Sequence, residues 1–195
     1  MEIKDGRKTV EAKTRKEWRS WLEKNHKSET SVWLILFHKK SLTPSVEISE
    51  AMEEALCFGW IDSKAKKRDS ESFYLTFSPR NPKSNWSAIN KERVEKMTQL
   101  GLITESGQKM IDLARQTGTW DALTDVQNLV IPDDLQKLFD INPIAFNNFN
   151  SFSSSSKRLI LEWIRSAKKP ETRQKRIAET VRLATENIKA NHPGQ

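Results

Sequence analysis

Residues 31–38, Ser31-Val-Trp-Leu-Ile-Leu-Phe-His38, are apolar at odd and even positions alike. A strand with one wet face alternates apolar and polar side chains, so this run reads as a strand covered on both sides. Its apolar stretch, Val32 to Phe37, is the longest in the chain. Six residues cannot span a bilayer or form the core of a secretion signal, and a cytoplasmic location with no transmembrane segment is the expectation.

Outward from this strand the pattern changes period. Residues 14–25 read as a helix, because Thr14 and Glu17 have capping-box spacing and Trp18, Trp21 and Leu22 recur at i, i+3 and i+4. Ser49 stands where it would cap a helix to about Cys57, with Gly59 just beyond its end. Trp60 to about Lys66 reads as a second strand, with Trp60 and Asp62 on one face. Ser72 to Phe77 reads as a third, with Phe73, Leu75 and Phe77 inward. Only a polar turn separates these two strands, which predicts an antiparallel hairpin. Ser87 and Thr104 open two helices that Gly101 and Gly118 close.

Beyond Gly118 the strand signals vanish. Residues 121–130 read as a linker, and Pro132 and Pro143 each sit in the first turn of a short helix. The serine-rich stretch 151–156 reads as a loop and a reservoir of helix caps. A helix follows with Leu159, Ile160, Trp163 and Ile164 on one face. Pro170 then starts the last helix, striped by Ile177, Val181, Ala184 and Ile188. The expected fold class is α+β: a small, largely antiparallel sheet with helices in residues 1–125, and an all-helical part in residues 126–195.

The 195 residues carry 33 Lys and Arg against 26 Asp and Glu, a net charge of +7. The charge is segregated: positive over residues 1–100, negative over 101–156, and strongly positive over 157–182. An acidic middle between basic ends speaks as much for internal attraction as for an external partner. Seven Trp and eight Phe provide bulky core anchors. The one cysteine, Cys57, rules out an intrachain disulfide and fits a reducing compartment. A nucleophilic thiolate needs a base, and none of His26, His38 and His192 has a spacing that delivers one, so Cys57 reads as a core thiol. Metal-ligand spacings and glycine-rich phosphate loops are lacking, and no cofactor is expected. Adjacent carboxylates such as Glu53-Glu54 and Asp133-Asp134 read as solvated or helix-dipole charges.

Ala55-Leu-Cys-Phe-Gly-Trp-Ile-Asp62, Phe77-Ser-Pro-Arg80, Ser84-Asn-Trp-Ser87, Asn90 and Arg93-Val-Glu95 stand in order along the chain. With Trp18 to His26, Val32-Trp33 and a C-terminal set running from Trp163 to Ile177, they resemble the YdeI/OmpD-associated family, also called bacteriocin-protection proteins. The likeness spans about residues 14–186. Ser78, Lys83 and Lys169 depart from the family's common Thr, Gly and Arg. The resemblance implies a role in tolerance to antimicrobial peptides or bacteriocins, with residues 126–195 as the helical module. It supplies no catalytic residue.

Two constellations carry the chemistry. Asp62 and Arg80 each close a motif and read either as an ion pair fixing the hairpin or as part of an anion pocket. The pocket residues are Trp60, Asp62, Arg80, Ser84, Trp86, Ser87 and Asn90, with Ser84 to Ser87 just before a helix whose N-terminus favours anions. The second constellation is a basic surface of Arg165, Lys168, Lys169, Arg173, Lys175 and Arg176, suited to an acidic protein or an anionic lipid surface. Nucleic acid ranks lower, because Trp163 lies on the apolar stripe and is expected in the core. The leading expectation is therefore a stress or envelope-protection protein that acts by binding, with a small anion, an acidic protein or an anionic lipid surface as the candidate partners. One alternative is an enzyme with Asp62 as acid/base and Arg80 as clamp, and the other is a nucleic-acid binder through 157–182.

Overall fold

Val32–Phe37 (β3) is a strand with its first five residues buried, at the centre of a five-stranded sheet. The computed structural model describes residues 3–191; His192, read above without a role, lies outside them. Strands β1 (Ile3–Lys4) and β2 (Arg7–Glu11) precede β3, and β4 (Trp60–Lys67) and β5 (Ser72–Pro79) follow it, in the order β1-β2-β3-β5-β4. Three of the pairings are antiparallel, including the expected β4–β5 hairpin. β2 pairs with β3 in parallel, Val10 opposite Leu34. The first two strands escape a sequence reading because Arg7-Lys-Thr-Val-Glu11 holds one large apolar residue. Edge pairing rather than pattern makes it a strand.

A parallel pair needs a crossover, and helix α1 (Arg15–Asn25) provides it. Thr14 caps α1 as expected, accepting from the Glu17 amide. Helix α2 (Ile48–Cys57) corrects the sequence reading: its cap is Glu47, which exchanges reciprocal bonds with Glu50, and Ser49 lies inside the first turn. Ser87 and Thr104 do cap α3 (Ala88–Gln99) and α4 (Glu105–Gln116).

One sheet face supplies Val32, Leu34, Leu36, Leu75 and Phe77 to a core completed by Trp18, Leu22, Ala51, Ala55 and Trp60. The alternate residues Trp33, Ile35 and Tyr74 form a separate cluster on the other face. Cations reach over these rings, Arg7 at 5.8 Å from Trp33 and Lys4 at 6.0 Å from Tyr74. Their aliphatic stems cover apolar surface while the charges stay wet.

The chain divides into two compact units after Asp121. The second contains α5 (Thr124–Gln127), α6 (Asp133–Asp140), α7 (Pro143–Ser151), α8 (Ser154–Arg165) and α9 (Pro170–Thr185). Residues 121–130 are thus more than a linker, since α5 buries Val126. Pro132 sits at the cap of α6, one residue before the helix, and Pro143 is in the first turn of α7. The serine stretch is mostly helical: Ser151 ends α7, Ser153 caps α8, and Ser154 to Ser156 form its first turn. Leu135, Phe139, Phe149, Ile160, Ile164, Ile177 and Val181 make this unit's core. Among the described residues, no helix is long and apolar enough to cross a membrane.

Helices α2 and α4 approach so closely at Gly107 that a Cβ there would lie 2.2 Å from the Cys57 carbonyl oxygen. Backbone cannot yield as a side chain can. Gly107→Ala is therefore expected to cost at least about 2 kcal/mol in urea unfolding; a variant as stable as wild type would show that the two helices can separate freely.

Candidate functional site

Arg80 follows β5, its amide donating to the Gly59 carbonyl at 2.9 Å. The side chain is only 6% exposed. Its guanidinium lies 3.8 Å from the Trp86 ring centre, and Nη2 donates to the Asn85 carbonyl at 2.5 Å. Nε has no hydrogen-bond partner. Burial lowers the Arg80 pKa to about 10, with nearby Asp62 pushing the other way. That attraction acts across a gap. Among the described residues no ion pair joins Asp62 to Arg80, which overturns the expected structural bridge.

The stacking extends beyond Trp86. Trp120 packs 4.9 Å from it, and Arg115 and Lys91 lie 5.1 and 5.5 Å from the Trp120 ring. Arg80, Trp86, Trp120, Arg115 and Lys91 thus form two packed indoles flanked by cations, of which the motif Arg80…Trp86 signals one end.

The other candidate residues are gathered unevenly. Trp60 packs with Trp21 in the main core and donates from Nε1 to the His26 carbonyl, whereas Trp86 packs with Leu56, Val94 and Ile111. Ser84 donates to the Asn81 carbonyl, Ser87 caps α3, and Asn90 accepts from Arg93. The hydroxyls of Ser84 and Ser87 and the Asn90 side-chain oxygen are engaged locally. Arg80 is the member of the set with a buried polar atom that no hydrogen bond reaches.

Glu53 and Glu54 form a second charged site, where adjacency in sequence suggests only solvated or helix-dipole charges. Both are buried, at 7% and 1% exposure, and are not solvated. Glu54 accepts from Arg15 Nε at 2.6 Å and Arg19 Nη1 at 2.7 Å; Glu53 accepts from Arg15 Nη1 at 2.9 Å and Lys96 Nζ at 2.6 Å. Burial would raise the Glu53 pKa, but the bonds to Lys96 and Arg15 outweigh it and hold the carboxyl below its ordinary value. Cys57 lies at the end of the same helix and is buried. Burial, then the Glu54 charge, raises its pKa to about 11, which leaves an unreactive core thiol as the sequence suggests.

A cavity of about 290 Å³ opens where β3 gives way to the 38–47 loop, bounded by His38, Lys39, Ser45, Glu47 and Phe73. The sequence reading passed over it because its residues come from a strand end, a loop and a helix cap that share no motif.

The basic surface of the helical unit resolves into two kinds of residue. Arg165, Lys168, Lys169 and Lys175 are exposed. Arg173 instead forms a two-pronged bond to Asp134, at 2.6 and 2.9 Å, so Asp134 is not a free dipole charge. Arg176 lies over Trp163 at 5.1 Å and donates to the Trp163 carbonyl. Trp163 is half-buried, not fully in the core.

Residues 10–110, more than half of the chain, match a family model described as Domain of unknown function (DUF8412), and the chain belongs to that family. Residues 128–187 match a second model, described as Bacteriocin-protection, YdeI or OmpD-Associated. The family resemblance read in the sequence is thereby shown, with its match lying in the helical unit. The motifs between Ala55 and Glu95 fall within the first model. No curated protein and no solved structure matches the chain.

The buried pairs set a pH dependence. The folded-state pKa of Glu53 is lowered, so its stabilisation is present above the ordinary carboxylate range and disappears as pH falls through the folded value. Glu53→Gln should lower urea stability at pH 7 and converge with wild type as pH falls below the ordinary carboxylate range; parallel curves would contradict the assignment. Glu54→Gln leaves Arg15 and Arg19 facing a neutral amide and should cost about 3 kcal/mol at pH 7.

Proposed function

We propose that this protein acts by binding a small anion at Arg80, in a protective role of the kind described for the family its helical unit matches. The observation that carries the reading is a buried guanidinium whose Nε, itself buried, has no hydrogen-bond partner, with no carboxylate in ion-pair contact. Removing a cation from water costs several kcal/mol unless an opposite charge repays it. A carboxylate, sulfate or phosphate oxygen offered to Nε would do so, and two oxygens would engage the guanidinium edge. Ser87 and the N-terminus of α3 lie a few residues on, where the helix dipole also favours negative charge. Trp86 covers the guanidinium face and leaves its edge as the binding element. Exposed Arg165, Lys168, Lys169 and Lys175 would meet an acidic protein or anionic lipid surface, and a reducing cytoplasm suits the free thiol of Cys57.

Thermal unfolding in phosphate, sulfate or acetate, against chloride at equal ionic strength, tests the site. Wild type should gain stability by mass action, about 2.7 kcal/mol at a hundredfold excess over Kd. Arg80→Met, which replaces an uncompensated charge with an apolar chain, should be as stable as wild type without anion and should lose the response. Indifference of wild type to all three anions, or an undiminished response in Arg80→Met, would refute the proposal. Survival of bacteria expressing each form under bacteriocin challenge tests the protective role, with protection expected from wild type and not from Arg80→Met.

A further inference from the structure

Two cations of the basic surface meet at one cavity. Arg165, the last residue of α8, and Arg173, in the first turn of α9, border a space of about 190 Å³ together with Asp125 of α5. The apolar lining includes buried Val126, Leu161 and Ile164. Arg173 is neutralised by its bonds to Asp134. Asp125 and Arg165 are not paired: among the described residues neither joins an ion pair, with each other or with any other group. Opposite charges thus border one apolar space without touching.

We infer that this cavity is a binding site for a zwitterion with an apolar side chain, of which a hydrophobic α-amino acid is the simplest form. An apolar cavity of about 150 Å³ accommodates a benzene ring, so the volume here admits a leucine or phenylalanine side chain. Arg165 is placed for the carboxylate, which a guanidinium takes in a two-pronged bond. Asp125 is placed for the ammonium. A simple acid would meet the Asp125 charge, and a simple amine would meet Arg165, so a ligand carrying both groups suits this border best. The inference is independent of the anion reading at Arg80, because the lining residues all belong to the helical unit.

Titration calorimetry of the full chain with L-leucine and L-phenylalanine tests it, with glycine, 4-methylpentanoate and 3-methylbutylamine as partial ligands. At least one of the two amino acids should bind at least about tenfold more tightly than every partial ligand, a difference near 1.4 kcal/mol. Asp125→Asn and Arg165→Gln, both at exposed positions, should each weaken that binding by about tenfold or more while unfolding as wild type does. Arg80→Met should leave it unchanged, which separates this site from the one in the sheet-bearing unit. No heat from either amino acid at about 10 mM, or 4-methylpentanoate binding as tightly as leucine and indifferent to Asp125→Asn, would overturn the inference.

Discussion

Two adjacent carboxylates, Glu53 and Glu54, hold the sheet-bearing unit in register. Each is buried on α2, and the cations that neutralise them come from α1 (Arg15, Arg19) and α3 (Lys96). Burying acids this deeply is unfavourable unless every oxygen is met, so the three helices must take one mutual arrangement for the charges to be satisfied. The consequences run along the chain. At the end of α2, the Cys57 carbonyl accepts from both the amide and the hydroxyl of Thr104, which docks the start of α4. Two residues later the Gly59 carbonyl receives the Arg80 amide. The candidate anion site is thus tied to the helix that the ion network holds.

Most elements were legible because their signals are local. Thr14, Ser87, Thr104 and Ser153 each cap within three residues, and β3 announces itself by six consecutive apolar side chains. What escaped depends on distant partners. Glu53-Glu54 looks like an ordinary exposed pair until Arg15 and Lys96, 38 and 43 positions away, are brought to it. Asp134 meets Arg173 across 39 positions. Strand β2 becomes a strand only by lying beside β3. At the candidate site, the sequence named Arg80 and Trp86 but paired Arg80 with Asp62; the actual neighbour of the guanidinium is an aromatic face.

Charge in this molecule is sorted by depth as well as by position along the chain. Inner cations are bound to acids or laid over rings, as Arg19 is over Phe58 and Arg176 over Trp163. Outer ones divide between cations such as Lys168 and Lys175, exposed on the helical unit, and cations such as Lys8, Lys96 and Lys109 that pair with acids. Arginine suits the inner role because a planar guanidinium can stack and donate at once. Arg80 does both, stacking on Trp86 and donating from Nη2 to the Asn85 carbonyl, yet leaves Nε unused.

The indoles give the protein an optical asymmetry. Six of the seven tryptophans precede Asp121, and Trp163 alone belongs to the helical unit. Trp18 and Trp21 lie 5.2 Å apart with planes 7° from parallel, close enough for their transitions to couple and rotate near-ultraviolet light as a pair. Excited-state emission therefore reports mainly on the sheet-bearing unit. With that background removed by substituting the other indoles, Trp163 would become a single lamp beneath Arg176, and loss of the α8–α9 contact could be followed apart from the melting of the sheet.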